Sequence, residues 1–168
     1  MADFLQAFES MIRNEGGYKL HTVEGDRGGM TYAGIARNFH PNWPGWAAID
    51  RGDIPDSELV RQFYRMNFWT PIRGDNIANQ VVARNVFDFA VNAGVATAVR
   101  LAQIVTGATP DGKLGPKTLA ALNTMDPEKF ALAYALAKLA RYRDIVTKDR
   151  TQQKFLLGWI NRTLREAA

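Results

Sequence analysis

The sequence predicts one mainly α-helical domain, and three observations carry that prediction. Apolar residues recur at three- and four-residue intervals in segment after segment. Acidic or proline-bearing starts and glycine stops bracket those segments, as in Asp126-Pro127-Glu128 and at Gly94 and Gly107. Within 168 residues there is no repeat, low-complexity tract or linker to divide the chain. Only residues 16–56, rich in Gly, Pro, Asp and Trp, break the helical pattern.

The elements follow in order. Asp3 is placed to N-cap a first helix, with Gln6 completing a capping box. Phe4, Leu5, Phe8, Met11 and Ile12 form its apolar stripe, and Gly16-Gly17 end it. Between Tyr18 and Ile35 the pattern suits a short β-hairpin or irregular structure. The turn Pro41-Asn42-Trp43-Pro44-Gly45-Trp46 presents two tryptophans on a loop. A second helix starts near Asp53–Ser57 and runs to about Trp69, with Leu59, Val60, Phe63 and Tyr64 inward. Residues 77–93 read as a largely buried helix closed by Gly94. Thr97 is the expected cap of the next helix, ended by Gly107. Pro116 suits the first position of a short helix to Leu122. A longer helix opens at Asp126 and runs to about Val146, and Thr151 opens a last one ending near Arg165, with Trp159 on its apolar face.

Composition narrows the chemistry. A hydrophobic content of 46% supports a packed core, so a disordered chain is excluded. There is no cysteine, hence no disulfide framework and no thiol nucleophile. The first residues lack a basic start and an unbroken apolar run, so no signal peptide is expected, and no segment is apolar enough to span a bilayer. Residues 1–83 hold 8 Lys/Arg and 10 Asp/Glu, whereas residues 84–168 hold 13 and 7. The basic second half suits an anionic partner such as an acidic cell-wall polymer, a membrane surface or nucleic acid. No nucleic-acid-binding module is recognisable, so that partner is not expected.

The two histidines, His21 and His40, lack metal-ligand spacing and are expected to be structural or superficial; no metal or other cofactor is expected. The two serines, Ser10 and Ser57, sit in no nucleophile elbow. Carboxylates remain as the reactive groups. Glu15 falls about 20° from Phe4 on a helical wheel, within the apolar arc and at the helix end where the macrodipole disfavours negative charge. Both influences raise its pKa, as a general acid at neutral pH requires. Asp26 follows eleven residues later and Thr31 five after that, separated by Gly28-Gly29. An acid, a second carboxylate and a hydroxyl are the parts that glycoside hydrolysis uses. Glu24 is the rival for the second carboxylate. Asp88 and Asn92 share one helix face, as a buried polar pair or as sugar contacts.

Taken together, Glu15-Gly16-Gly17-Tyr18 followed by Asp26-x-Gly28-Gly29-x-Thr31-x-x-Gly34-Ile35 resembles the glycoside hydrolase family 108 signature of N-acetylmuramidases, often phage endolysins. Phe87-Asp88-x-Ala90-Val91-Asn92-x-Gly94 is similar to a second block of that family. Asp111-Gly112-x-x-Gly115-Pro116-x-Thr118-Leu119 and Phe155-x-x-Gly158-Trp159-x-Asn161-Arg162 resemble the two ends of its peptidoglycan-binding region. The resemblance implies a lysozyme-like fold in one domain, with a catalytic region over 1–83 and a helical region over 84–168. It implies cleavage of the β-1,4 bond between N-acetylmuramic acid and N-acetylglucosamine, with Glu15 as acid. The Glu–Asp–Thr layout is similar to that of phage-type lysozymes, where the Asp and Thr position a water, so Asp26 is the expected base or electrostatic stabiliser and Thr31 the residue that orients water. Tyr18, Tyr32, Tyr64, Asp88 and Asn92 are the candidate substrate contacts. Core packing is the competing role for the aromatic residues, Trp43 and Trp69 included. The implied partner is the peptidoglycan strand, met by a monomer in the periplasm after release by a holin or a secretion system. A lytic transglycosylase and a non-catalytic wall-binding module are the alternatives.

Overall fold

The computed structural model describes residues 1–14, 16–22 and 28–167. Among them are eight α-helices and a three-stranded antiparallel sheet, in the order α1 (Phe4–Asn14), β1 (Leu20–Thr22), β2 (Met30–Tyr32), β3 (Ile35–Ala36), α2 (Trp46–Asp50), α3 (Ser57–Tyr64), α4 (Gln80–Ala93), α5 (Val95–Thr106), α6 (Pro116–Thr124), α7 (Pro127–Lys148) and α8 (Gln153–Ala167). The mainly helical prediction holds, and the hairpin expected between Tyr18 and Ile35 forms.

α4 lies at the centre. Val82, Ala83, Val86, Phe87 and Ala90 have no exposed surface, and α1, α5 and α7 all pack on it. Phe4 of α1 meets Phe87 edge-on at 6.1 Å and Trp69 at 5.6 Å, joining the first helix to the core through rings. One continuous hydrophobic cluster runs from Ala2 to Tyr142.

Start signals explain most of the boundaries. The Asp3 carboxylate accepts from the Leu5 N–H at 2.7 Å, as expected of a cap. The reciprocal half of the expected capping box is replaced: the Asp3 N–H donates to Gln80 Oε1 of α4 at 2.6 Å, so the cap also docks α1. Asp56, Asn79 and Asp126 cap α3, α4 and α7 through their side chains. α3 continues into a π-helical turn over Arg65–Trp69, which carries the helical path to the predicted end at Trp69.

Three expectations are corrected. α5 begins at Val95, directly after Gly94 at φ 87°, so Thr97 lies inside the helix and caps nothing. The last helix starts at Gln153, because Asp149 binds the Thr151 N–H and forms a 3-10 turn over Arg150–Gln152 first. The two tryptophans read as loop residues are buried around the unpredicted helix α2, Trp43 meeting Trp46 edge-on at 5.1 Å. Gly45 permits this, since a Cβ there would stand 2.1 Å from the Trp43 ring.

The Asp111-Gly112-x-x-Gly115-Pro116-x-Thr118 block is folded around one buried amide. Gln103 Nε2 donates to Asp111 Oδ1 at 2.8 Å, to the Lys113 carbonyl at 3.0 Å and to Thr118 Oγ1 at 3.0 Å. Its Oε1 accepts from the Gly112 N–H at 2.9 Å. The block is therefore pinned to α5, within the same hydrophobic cluster. Replacing Gln103 by Leu strands these partners, and the expected loss is about 2–4 kcal/mol of folding stability in urea denaturation. An unchanged midpoint would show that the amide does not organise the loop.

Candidate functional site

The first helix has to end sharply before the sheet, and the chain supplies two left-handed glycines for this. Gly16 and Gly17 sit at φ 88° and 79°. The Gly17 N–H donates to the Ile12 carbonyl at 2.8 Å and the Gly16 N–H to that of Arg13 at 3.2 Å, closing the helix in a Schellman-type turn. Tyr18 follows directly, and the chain enters β1.

In the sheet, Leu20 pairs with Tyr32, His21 with Thr31 and Thr22 with Met30, while Tyr32 pairs with Ile35 across a two-residue turn. That turn, Ala33-Gly34, has φ 49° and 79°, the doubly positive form that suits the twist of a tight hairpin. Ala33 is strained there, and two contacts hold it. Its N–H donates to the Lys19 carbonyl at 3.1 Å, and its carbonyl accepts from the Tyr64 hydroxyl at 2.8 Å. α3 thus anchors the sheet through one buried phenol.

Of the three predicted catalytic residues, Thr31 is described. It lies on the central strand, about 9% exposed, its hydroxyl donating to the Gly29 carbonyl at 3.3 Å. The oxygen keeps its acceptor lone pairs. Glu15, Asp26 and the rival Glu24 lie outside the described residues.

Tyr18 is 42% exposed and stands at a groove of about 690 Å3 between α1 and α3, within the size range of ligand pockets. Glu9, Arg13, Glu58, Arg61, Gln62 and Arg65 supply the groove's polar groups. Partial burial raises the Tyr18 phenol, opposed by the Arg61 charge and assisted by that of Glu9. Burial also raises the Tyr32 phenol, and Tyr18 adds to the effect, which places the two hydroxyls in one electrostatic neighbourhood. The Tyr32 ring stacks on Trp43 at 6.0 Å, so it is part of the hydrophobic cluster behind the sheet.

Two other predicted contacts part company. Tyr64 is buried at 2% exposure and held by Ala33, so its expected contact with substrate is corrected: it positions the hairpin. Asp88 and Asn92, predicted as a pair, separate. Asn92 is exposed at the end of α4, whereas Asp88 is 2% exposed in the interior. Of the histidines, His21 is exposed on β1, and His40 packs edge-on against Phe63 at 4.7 Å, burial lowering its pKa.

Asp88 belongs to a charged cluster that the sequence reading missed. Lys138 of α7 is 1% exposed and donates to Glu166 of α8, as does Arg162 Nε at 3.1 Å. The Lys138 ammonium also lies over the Tyr134 ring at 4.8 Å and the Phe89 ring at 5.1 Å. Burial lowers the Lys138 pKa, with Glu166 resisting. A signal was present: Lys138 continues the four-residue spacing of Phe130, Tyr134 and Tyr142, all buried on one face of α7.

Burial pushes the Asp88 carboxyl from 3.8 up to about 7, the Glu166 charge adding to the effect while Arg162, Lys138 and Arg84 oppose it. Because the folded-state value is raised, the ionised form opposes folding. That cost is absent below the unfolded value, grows as pH rises, and is complete above about 7. Asp88→Asn removes the ionisation. Its stability relative to the parent chain is expected to rise by about 2–3 kcal/mol between pH 5 and pH 8 in urea denaturation. A difference independent of pH would remove Asp88 as the titrating group.

Comparison with known proteins gives two adjoining family matches. The model described as glycosyl hydrolase 108 matches residues 8–94, from within α1 to the end of α4. The model described as a predicted peptidoglycan domain matches residues 97–164, within α5 to α8. A solved structure, that of SagA from Brucella abortus, is 28% identical with a TM-score of 0.72, over 98% of this chain and 91% of that one. Among curated proteins, none matches.

Proposed function

Starting from the chain's membership of the glycosyl hydrolase 108 family, we propose that this peptidoglycan hydrolase is an N-acetylmuramidase that uses Glu15 as its general acid. The observation that carries the reading is the order of parts along one chain. The glycosidase match contains the whole Glu15-to-Ile35 motif and leads directly into a peptidoglycan region. The bond cleaved is the β-1,4 link between N-acetylmuramic acid and N-acetylglucosamine.

Glu15 protonates the glycosidic oxygen as the bond breaks. Asp26 serves as base or as stabiliser of the oxocarbenium charge, and Thr31, on the rigid central strand, orients the water. Two features support this. The Gly16-Gly17 turn places the residues after α1 at the start of the sheet that carries Thr31. The groove beside Tyr18 also combines an exposed ring with charged groups of both signs and an amide, a surface suited to the hydroxyl and amide groups of a glycan. The chain acts as one unit in the periplasm, and a holin or a secretion system provides its release. A phage lysis role is the simplest setting for an enzyme of this kind.

Glu15→Gln is expected to lower the release of reducing ends from purified sacculi at least about 100-fold, with an unchanged circular dichroism spectrum. Near-normal release would sink the assignment of Glu15. Mass spectrometry of the products tests the reaction class: reducing muramic acid is expected, and the 1,6-anhydro form would establish a transglycosylase instead. The excess of Lys/Arg over Asp/Glu in residues 84–168 should make the rate on sacculi fall several-fold as ionic strength rises from about 0.05 to 0.5 M. A flat profile would remove charge attraction from the reading.

A further inference from the structure

A second pocket, of about 120 Å3, opens where α1, α4 and α8 meet. Ser10, Arg84, Asp88, Arg162, Arg165 and Glu166 line it. The space equals roughly four waters at about 30 Å3 each, too little for a glycan strand and enough for one small polar group.

Among the described residues its charges are unbalanced. The Glu166 carboxylate is engaged by both Lys138 and Arg162. Arg84 and Arg165 have no ion pair among the described residues. Asp88 Oδ1 is fully buried and has no hydrogen-bond partner among the described residues. A buried carboxyl oxygen left this way is costly unless something donates to it or it carries a proton that finds an acceptor. Three guanidinium groups beside it make a cation an unsuitable occupant and an anion a suitable one.

We propose that this pocket is a binding site for a small carboxylate, held by Arg84 and Arg165 and hydrogen-bonded by the Asp88 carboxyl. The arginines supply charge-assisted donors to the ligand oxygens. The Asp88 O–H donates to one of those oxygens, which gives the orphaned group its partner. The site stands on the pocket alone and does not require the hydrolytic reading.

Binding is then coupled to a proton. The groups facing Asp88 are Arg84 on its own helix, Lys138 from α7, and Arg162, Arg165 and Glu166 from α8; α1 contributes the neutral Ser10. The cations favour ionisation, but burial and Glu166 outweigh them, so the carboxyl titrates near neutrality. An ionised Asp88 repels an anionic ligand, and affinity falls as pH rises through that range.

The test is a nitrogen–proton NMR titration of the intact chain with acetate, with acetamide as the neutral control. Saturable shifts at Ser10, Asp88 and the arginine side chains are expected with acetate and not with acetamide. Affinity should fall about tenfold from pH 6 to pH 8, and about tenfold in Arg84→Gln. Arg165→Gln, at an exposed position, serves as the second variant if the first folds poorly. D-alanyl-D-alanine separates the sources of the ligand. Binding at the same residues identifies the carboxylate end of a wall peptide, and binding by acetate alone identifies a free carboxylate. No saturable shift, equal shifts with acetamide, or unchanged affinity in both arginine variants would overturn the site.

Discussion

α4 is buried over most of its length, with Val82, Ala83, Val86, Phe87 and Ala90 all without exposed surface, and a helix of that kind has to be wrapped. The rest of the architecture follows from meeting that constraint. α1 docks through the Phe4–Phe87–Trp69 rings and through the hydrogen bond between the Asp3 N–H and Gln80 at the start of α4. α5 turns back along α4 after Gly94, and α7 closes another side. The enclosure also accounts for the charged cluster. Asp88 lies on the enclosed helix near Arg84, and further cations come to it from Lys138 and Arg162 on the wrapping helices. Glu166 then compensates those cations and ties α8 to α7.

The sheet has the opposite problem. Its strands are two or three residues long, and β1 is exposed along its whole length, so pairing alone does not locate it. Location comes from the Tyr64 hydroxyl on the Ala33 carbonyl and from the Tyr32, Trp43 and Trp46 rings beneath. The strained Ala33 is held at both its N–H and its carbonyl, which fixes the strand that carries Thr31. Thr31 therefore owes its position to α3 and to the tryptophan turn at residues 41–46.

Several of these features are legible from residues alone because they are local. A cap needs a side-chain oxygen two or three residues before an N–H, so Asp3 and Asp126 announce their helices. A left-handed helix end needs glycine, so Gly16-Gly17 and Gly94 announce theirs. Thr97 and Thr151 misled for the same reason: a good capping residue marks a start only when no neighbour has already made one, and Gly94 and Asp149 had. The aromatic residues were ambiguous, because a ring that stacks on a sugar and a ring that fills a core have the same composition signal. Exposure separates them, with Tyr18 at the groove and Tyr64 in the core.

The helical class, most of the helix boundaries, the family to which the chain belongs and the Glu15-to-Ile35 motif are readable from residue order, since each depends on neighbours within a few residues or on motif order. Packing of the helices settles the rest. It turned Tyr64 from a candidate contact into the anchor of the hairpin, parted Asp88 from Asn92 on one helix, and brought Ser10, Arg84, Asp88 and Arg165 around one pocket from three distant segments. Burial and electrostatic environment come from groups that meet only when helices pack, and spacing along the chain does not carry them.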